Sequence, residues 1–417
     1  TYDNFQRDTA DFLPYVATGS DGSYKTAALT AQQAFYNGGN SPVSGQGEAG
    51  ANAHSKIIYE SSPLDRVLQT MAPGNSWIGA GRSVQTKFWT NTATDAVRKW
   101  TVTFVATPGS GFGSDSSAST YGAGQLHKNV TADENGRQVV TFTDNNNQIL
   151  LKKVQLTAAA DNGSGSSHTG WICTYYLYDG LNHLRCVIQP AAVQAMNTAN
   201  NWTLTATMLT DQCFRYEYDK RDRMIMKQVP GAGTSYMVYD ARDRLVMSQD
   251  ADMHTANSWL ATMYDSLDRP QYTWTYNSAT AFTTLLSAAA ASISYPSASP
   301  PSSPALLTQT HYDDYASLPS GLSSSYVTTW DTCFAATSTT AFPYPEKPAK
   351  NSATTTKGMV TWEQVKVIDS TPALYLPRVM IYDDKGRVIQ VQSKNITGGT
   401  DVVTTQYSWA GAPLVIV

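Results

Sequence analysis

The sequence predicts an all-β chain: one long antiparallel sheet that curls or spirals, carrying a few short helices on its loops. Three observations lead there. A motif of Tyr-Asp, three variable residues and Arg occurs five times. The segments around it alternate apolar and polar side chains, as in Phe214-Arg215-Tyr216-Glu217-Tyr218 and Met237-Val238-Tyr239, the period-two signature of a half-buried strand. Helical periodicity is scarce.

The five copies are residues 2–7 (YDNFQR), 218–223 (YDKRDR), 239–244 (YDARDR), 264–269 (YDSLDR) and 382–387 (YDDKGR). Their fixed positions are Tyr2, Asp3 and Arg7; Tyr218, Asp219 and Arg223; Tyr239, Asp240 and Arg244; Tyr264, Asp265 and Arg269; and Tyr382, Asp383 and Arg387. Looser copies stand at Tyr178-Asp179, where His183 holds the Arg place, at Tyr59-Glu60, where Arg66 comes two places late, and at Tyr312-Asp313, which lacks an Arg. Each unit reads as strand, turn, strand: an aromatic strand end, an Asp able to accept a hydrogen bond from the backbone two residues on, then Gly, Asp or Gln before Arg. Tyr and Arg close one short loop, so ring and guanidinium are expected to stack while Arg pairs with Asp. Each contact is worth roughly 0.5 to 1 kcal/mol at a partly exposed site. The role predicted for these residues is structural.

Hairpins of this kind cannot bury an apolar face alone and must lie side by side, with their tyrosines in columns. Spacings of 21 residues from Tyr218 to Tyr239 and 25 from Tyr239 to Tyr264 fit one hairpin per repeat, whereas 70 residues from Tyr312 to Tyr382 demand an insertion. Residues 282–308 and 335–358, rich in Ala, Ser, Thr and Pro, read as surface loops or linkers. Short helices are predicted over residues 279–291, 30–36 and after Pro190, a residue suited to the first helical position. The Gly-rich stretches 38–50 and 108–124 open no helix, so GSGFG reads as a loop and not as a phosphate cradle.

Composition narrows the partners. Across 417 residues, 29 Lys and Arg stand against 33 acidic residues, and a net charge of -4 gives no electrostatic reason to expect nucleic acid or an anionic membrane surface. Only 15% of residues are charged, below the roughly 25% typical of soluble domains, a balance that suits an extracellular β protein. No run of eighteen apolar residues predicts a membrane span. The start at Thr1, with no initiator Met and no charged-then-apolar leader, leads to the expectation that the true N-terminus lies upstream. Cys173, Cys186, Cys213 and Cys333 form no C-x-x-C pair and are expected as buried thiols, the alternative being a Cys173–Cys186 disulfide across a hairpin.

Residues 133–156 (DENGRQVVTFTDNNNQILLKKVQL), 171–190 (WICTYYLYDGLNHLRCVIQP), 213–233 (CFRYEYDKRDRMIMKQVPGAG), 236–251 (YMVYDARDRLVMSQDA) and KGMVTWEQVKV resemble the YD-repeat, or Rhs, proteins of Bacteroidota. Upstream, YDNFQRDTADFLPYVA, AFYNGG, YESSPLDRVLQTMAPGNSW and GQLHK are similar to the uncharacterised N-terminal domain that accompanies those proteins, and IYDDKGRVIQVQSKNITGGTDVVTTQYSW continues the resemblance to the end. The resemblance implies a β-spiral shell with residues 1–125 as an N-terminal cap and 126–417 as the repeat wall. It further implies a secreted or cell-surface bacterial protein, longer than this chain, whose shell encloses a C-terminal toxin or other cargo. Related shells occur in insecticidal toxin complexes and teneurins. The partners implied are the rest of the polypeptide, its cargo, and surface or secretion-machinery proteins. The self-cleaving aspartate site that marks the toxin boundary in the family is not seen before Val417.

No enzyme signature stands out. His54, His127, His168, His183, His254 and His311 are scattered singly and read as surface or turn residues, with no metal-ligand spacing. The neighbours Asp313 and Asp314, like Asp383 and Asp384, point to opposite faces of a strand, and the run from Asp144 to Asn147 lacks the Gly and Glu of a calcium loop and reads as a turn. No nucleophile elbow or Cys-His pair is present, so no catalytic, cofactor or metal residue is assigned. The competing reading is an extracellular adhesin whose exposed aromatics, among 10 Trp and 24 Tyr, bind carbohydrate. A shell and a non-catalytic scaffold is the reading preferred.

Overall fold

Alternation in sequence becomes alternation in burial. In the strand Trp171–Tyr178 the side chains of Trp171, Cys173, Tyr175 and Leu177 are buried, while the residues between them face outward. The computed structural model describes all residues except 1, 18–21, 23, 38–49, 298, 300, 304 and 351–355. The Gly-rich stretch 38–50 falls, apart from Gly50, outside the described residues. The chain divides into two compact units, Thr1–Ala106 with Gly111–Glu217 and Gln228–Ala232, and Thr107–Ser110 with Tyr218–Lys227 and Gly233–Val417.

The first unit contains α1 (Ala28–Asn37), β1 (Lys56–Tyr59), β2 (Val67–Met71), β3 (Val84–Thr90), β4 (Arg98–Thr103), β5 (Ser114–Thr120), β6 (His127–Ala132), β7 (Gln138–Thr143), β8 (Ile149–Gln155), β9 (Trp171–Tyr178), β10 (Leu184–Ile188), α2 (Pro190–Thr198), α3 (Ala206–Asp211) and β11 (Cys213–Tyr218). β1, β2, β3, β6, β7, β8, β9, β10 and β11 pair antiparallel in that order, and β4 and β5 form a separate ribbon. The core is one face of β6 to β10, with Val130, Val140, Phe142, Leu151, Tyr175 and Ile188, closed by Ala192, Val193 and Met196 of α2. Pro190 holds the first helical position of α2, where its missing N–H costs nothing.

The second unit opens with β12 (Met224–Val229), whose last two residues belong to the first unit's set, followed by β13 (Gly233–Tyr239), β14 (Leu245–Gln249), α4 (Ala251–Thr255), β15 (Ser258–Tyr264), β16 (Pro270–Asn277), α5 (Phe282–Ala290), β17 (Leu306–Tyr312), β18 (Val360–Lys366), β19 (Tyr375–Tyr382), β20 (Val388–Lys394), β21 (Thr400–Tyr407) and β22 (Pro413–Ile416). From β13 to β22 each strand pairs antiparallel with the next. The all-β expectation therefore holds: the sheets are antiparallel, and among the described residues the α-helices are five short ones, one ahead of the first strand and four between strands.

The first insertion is more than a surface loop, and the chain ahead of the second also packs on the sheet. Within residues 282–308, α5 buries Leu285 and Ala289 against Trp259, Ala261 and Trp274. That corrects the reading of this stretch as a linker, because an Ala- and Leu-rich helix offers the apolar face that the exposed side of β13 to β16 needs. Between β17 and β18 the chain lays Tyr315, Leu318, Leu322 and Tyr326 over Trp362, Val379, Ile381 and Ile389. Sheet glutamines hold the continuation of that segment by side-chain amides. Gln390 accepts from Val327 N and donates to Val327 O, both at 2.9 Å, Gln392 donates to Ser325 O at 2.7 Å, and Gln406 exchanges both bonds with Ala335.

The cysteines correct the disulfide alternative. Cys186 lies opposite Leu177 in the β9–β10 register, four residues from Cys173, a displacement of about 13 Å along the strand that no disulfide spans. Its neighbour is Cys213, whose hydrogen bond, with burial, drives the Cys186 thiol far up. Cys173, Cys186 and Cys213 are buried free thiols, while Cys333, expected inside, is exposed. A thiol reagent added to the reduced native protein is expected to modify Cys333 alone, and all four cysteines only after unfolding; rapid native modification of Cys173 or Cys186 would contradict the burial.

Candidate functional site

The repeat turn is the feature that the two units share. At residues 219–223, Asp219 N donates to Arg223 O at 3.0 Å and Asp222 N to Asp219 O at 3.2 Å. The carboxylate then accepts Arg221 N at 2.9 Å and Arg223 N at 3.1 Å through Oδ1, while Oδ2 takes the Arg223 guanidinium through Nε and Nη2 at 2.8 and 2.6 Å. Asp222 has a φ of 60°, the left-handed conformation that closes a three-residue hairpin loop on a bulge. Asp3, Asp240, Asp265 and Asp383 accept the same two backbone N–H groups in their own loops. At the residue before Arg stand Gln6, Asp243, Asp268 and Gly386, all at positive φ, which is why Asp and Gly recur there.

Arg and Tyr of one loop do not stack, and here the structure corrects the sequence-based expectation. The bulge places Tyr239, Tyr264 and Tyr382 opposite Leu245, Pro270 and Val388, the residues after Arg. With its Nε edge held by its own Asp, each guanidinium lies instead over the Tyr that begins the next turn. Arg223 covers Tyr239 at 4.9 Å, Arg244 covers Tyr264 at 4.9 Å, Arg269 covers Tyr312 at 4.2 Å, Arg387 covers Tyr407 at 5.0 Å and, in the first unit, Arg7 covers Tyr59 at 4.6 Å. A second carboxylate waits there: Arg223 reaches Asp243 at 2.7 Å, Arg244 reaches Asp268 at 2.7 Å and Arg269 reaches Asp313 at 2.6 Å. The Tyr hydroxyl donates back, Tyr264 to Leu245 O at 2.8 Å, Tyr312 to Pro270 O at 2.9 Å and Tyr407 to Val388 O at 3.1 Å. The columns are thus alternating Arg and Tyr, linking hairpin to hairpin.

The degenerate copies keep the turn with substituted parts. At Tyr178-Asp179, the carboxylate accepts Leu181 N and His183 N, and His183 Nδ1 lies 3.1 Å from Oδ2. Glu60 grips Arg66 through Nε and Nη2 at 2.9 and 2.6 Å. Asp313, in the copy without Arg, is served by Arg269, which holds its carboxyl far below the usual range, helped by the N–H of Gly358. Asp313 N donates to Met359 O, so the chain from 314 to 358 is an excursion inside a repeat turn. Sequence reasoning read a turn at Asp144 without tying it to the repeat, and missed three more turns of the same form, at Asp133, Asn395 and Ser408. The usable signal was a short acceptor followed three places later by a residue at positive φ, here Gly136, Asn147, Gly398 and Gly411, with neither Tyr nor Arg required.

A second group of polar residues, not foreseen, lies inside the first unit. Lys128 and Lys153 on β6 and β8 are fully buried. The Lys128 ammonium sits 2.8 Å from Asp95 Oδ1 and 2.5 Å from Asp161 Oδ2, with the rings of Trp89 and Phe142 within 6 Å. Burial raises Asp161, but the hydrogen bonds from Lys128 and Gly163 N and the charges of Lys128 and Lys153 together outweigh it and leave the carboxyl below its ordinary value. Lys153 donates to Ser166 O at 2.5 Å and lies over Trp171 at 4.9 Å; burial brings its pKa down to about 8. His168, expected at the surface, is buried between Tyr175 and Trp202, and burial lowers its pKa to about 3. Arg98 N donates to the Tyr175 hydroxyl at 2.9 Å, and that hydroxyl shares a hydrogen bond with the neutral ring of His168, 2.7 Å away. Burial also pushes the nearby Cys173 thiol up to about 12, which leaves it unreactive as a nucleophile. Among the described residues no three metal-ligating groups cluster, and no helix is long and apolar enough to cross a membrane.

Residues 1–90 match the family described as Domain of unknown function (DUF6443). No curated protein matches the sequence. The chain is similar to the crystal structure of TcdB2-TccC3, over 99% of this chain and 17% of that one, at 12% identity and a TM-score of 0.42. It is also similar to TcdB2-TccC3-TEV, over 99% and 17%, at 13% identity and a TM-score of 0.37. The Photorhabdus luminescens Tc holotoxin pore aligns over 90% and 16%, at 14% identity and a TM-score of 0.33. The chain spans at most 17% of the length of these solved structures.

Two predictions follow from the geometry. Asp240 is fully buried whereas Asp265 keeps some exposure, so Arg244→Ala strands a buried carboxylate and is expected to cost about 2–3 kcal/mol in denaturant unfolding, against about 1 kcal/mol for Arg269→Ala. Equal losses would show that burial of the Asp does not set the strength of a turn. For Lys153, a folded pKa of about 8 against 10.5 in the unfolded chain means that the unfolded state holds more protons between those values. Stability is therefore expected to rise from pH about 8 until, near pH 9, the thiols of the unfolded chain give up protons that the buried Cys173 and Cys186 retain. Lys153→Met should lack that rise, as followed by urea unfolding across the range.

Proposed function

We propose that this chain is a wall segment of a larger exported YD-repeat protein of the Rhs type, and that its hairpins form part of a shell enclosing or displaying a C-terminal toxin or other cargo. The observation that carries the reading is the directional column of Arg, Tyr and Asp in which each turn grips the next. Such a column commits an array of hairpins to continued side-by-side addition, which is how a wall is built.

Residues 1–125 are assigned as the cap, a stretch that includes the 1–90 match, and 126–417 as the wall. The Bacteroidota resemblance supports a secreted or cell-surface location and, as partners, the remainder of the same polypeptide, its cargo and the surface or secretion machinery. The role assigned is structural: no residue here is given a covalent step.

Electron microscopy of the purified full-length parent tests this. A hollow particle with protein density inside, or a lumen with cargo held at its mouth, is the expected result. A solid or open rod with no lumen would overturn the shell reading.

A further inference from the structure

We propose that the first unit carries a binding site for a neutral oligosaccharide, in a cleft of about 880 Å³ at the ends of β3, β6 and β7. The site is independent of the shell reading, because it rests on side chains that the repeat turns do not use.

The cleft lies within the size range of small-ligand sites, roughly 300–1,000 Å³. Neighbouring strands build its polar lining in register: Thr90 lies opposite His127, His127 opposite Thr143, and Phe88 opposite Asn129. Asn147, at the left-handed position of the turn after β7, adds another amide. Among the described residues the side chains of Thr90, His127, Asn129, Thr143 and Asn147 make no hydrogen bond to the protein, although most others of their kind nearby do. Asn91, for example, spends its amide on Gly122 O and Leu126 N. Five unspent groups facing one cleft supply donors and acceptors for a ligand with several hydroxyls.

Charge and topology then select the ligand class. None of the described lining residues is acidic, and the one cation, Arg66, is neutralised by the carboxylate of Glu60, which takes its Nε and Nη2. An ionic ligand would find no free counter-charge. A peptide adding itself as a strand needs an unpaired edge, but β3 pairs with β2 and β6, β6 with β3 and β7, and β7 with β6 and β8. What remains is recognition by side chains alone, amide and hydroxyl for the ring hydroxyls, with Phe88, which carries Arg66 over its ring and shares the face of Asn129, as the apolar wall. The groups stand on strands in the interior of a sheet, so the site is formed before a ligand arrives.

Isothermal titration of this chain with maltohexaose, cellohexaose, laminarihexaose, xylohexaose, mannohexaose and chitohexaose, and with hexagalacturonate as the charged counterpart, tests the proposal. At least one neutral hexasaccharide is expected to bind, with affinity reduced at least about tenfold, or roughly 1.4 kcal/mol, in the His127→Ala/Asn129→Ala double variant. Both positions lie off the core face, so thermal unfolding of the variant should match the parent; if it does not, Asn147→Gly, which keeps the left-handed turn and removes only the amide, is expected to weaken the same ligand. No binding by any neutral hexasaccharide, tighter binding of hexagalacturonate, or binding indifferent to these substitutions would overturn it.

Discussion

The carboxylate that accepts two backbone N–H groups, two and four residues further on, is the constraint from which this architecture follows. It satisfies donors that a three-residue loop leaves without a ladder partner, and it does so only if the residue before the closing Arg takes a positive φ. That conformation creates the bulge, and the bulge fixes which residue stands opposite each Tyr. Because a slip of one residue would exchange the two faces of a strand, a turn that pins register also decides which side chains enter the core. Val238, Met247 and Ala261 are buried on β13, β14 and β15 because the intervening turns hold their strands in step.

A sheet of hairpins still has an apolar face to cover, and the two units solve this with locally available segments. In the first, α2 follows directly on β10 and lies over the sheet. In the second, the work falls to α5 and to the long excursion inside the Asp313 turn. Irregular chain laid on a sheet exposes its own backbone to desolvation, and the buried glutamines answer that need. An amide carries N–H and C=O in the spacing of a peptide group, so Gln390 and Gln406 exchange reciprocal bonds with Val327 and Ala335 as a neighbouring strand would. In the first unit Gln138 does the same for the N–H and carbonyl of Asp161.

How much of this was legible depended on whether the information was local. The strands, the turn at each Tyr-Asp copy and the helix after Pro190 follow from period, turn chemistry and the fixed φ of proline, all of which act within a few residues. The stacking partner of Arg was not legible, because one sequence motif holds both a Tyr and an Arg while only the bulged register shows that they belong to different contacts. The turns at Asp133 and Asn395 escaped because the motif was read as Tyr-Asp-Arg, when the backbone asks only for a short acceptor and a left-handed residue. Lys128 and Lys153 resemble solvated lysines on alternating strands. Nothing near them in sequence reveals that Asp95, Asp161 and Ser166 fold back to meet them inside.

The choice of cation in the two places follows from geometry rather than charge. In the columns one side chain must bond its own Asp along one edge, meet the next Asp with the remaining nitrogen and lie flat on a ring, and only a planar guanidinium with five donors does all three. Arg244 shows the division of labour, with Nε and Nη2 on Asp240, Nη1 on Asp268 and the plane over Tyr264. Inside the first unit the demand is for a compact charge at a junction between two carboxylates and two rings, which the ammonium of Lys128 meets. An Arg there would need more buried acceptors than Asp95 and Asp161 provide, and each unmet N–H would carry its own desolvation penalty. Lys in the columns would fail in the opposite way, since a point charge bonded to its own Asp has no second edge to offer the next hairpin, and the sheet would lose the contact that joins one hairpin to its neighbour.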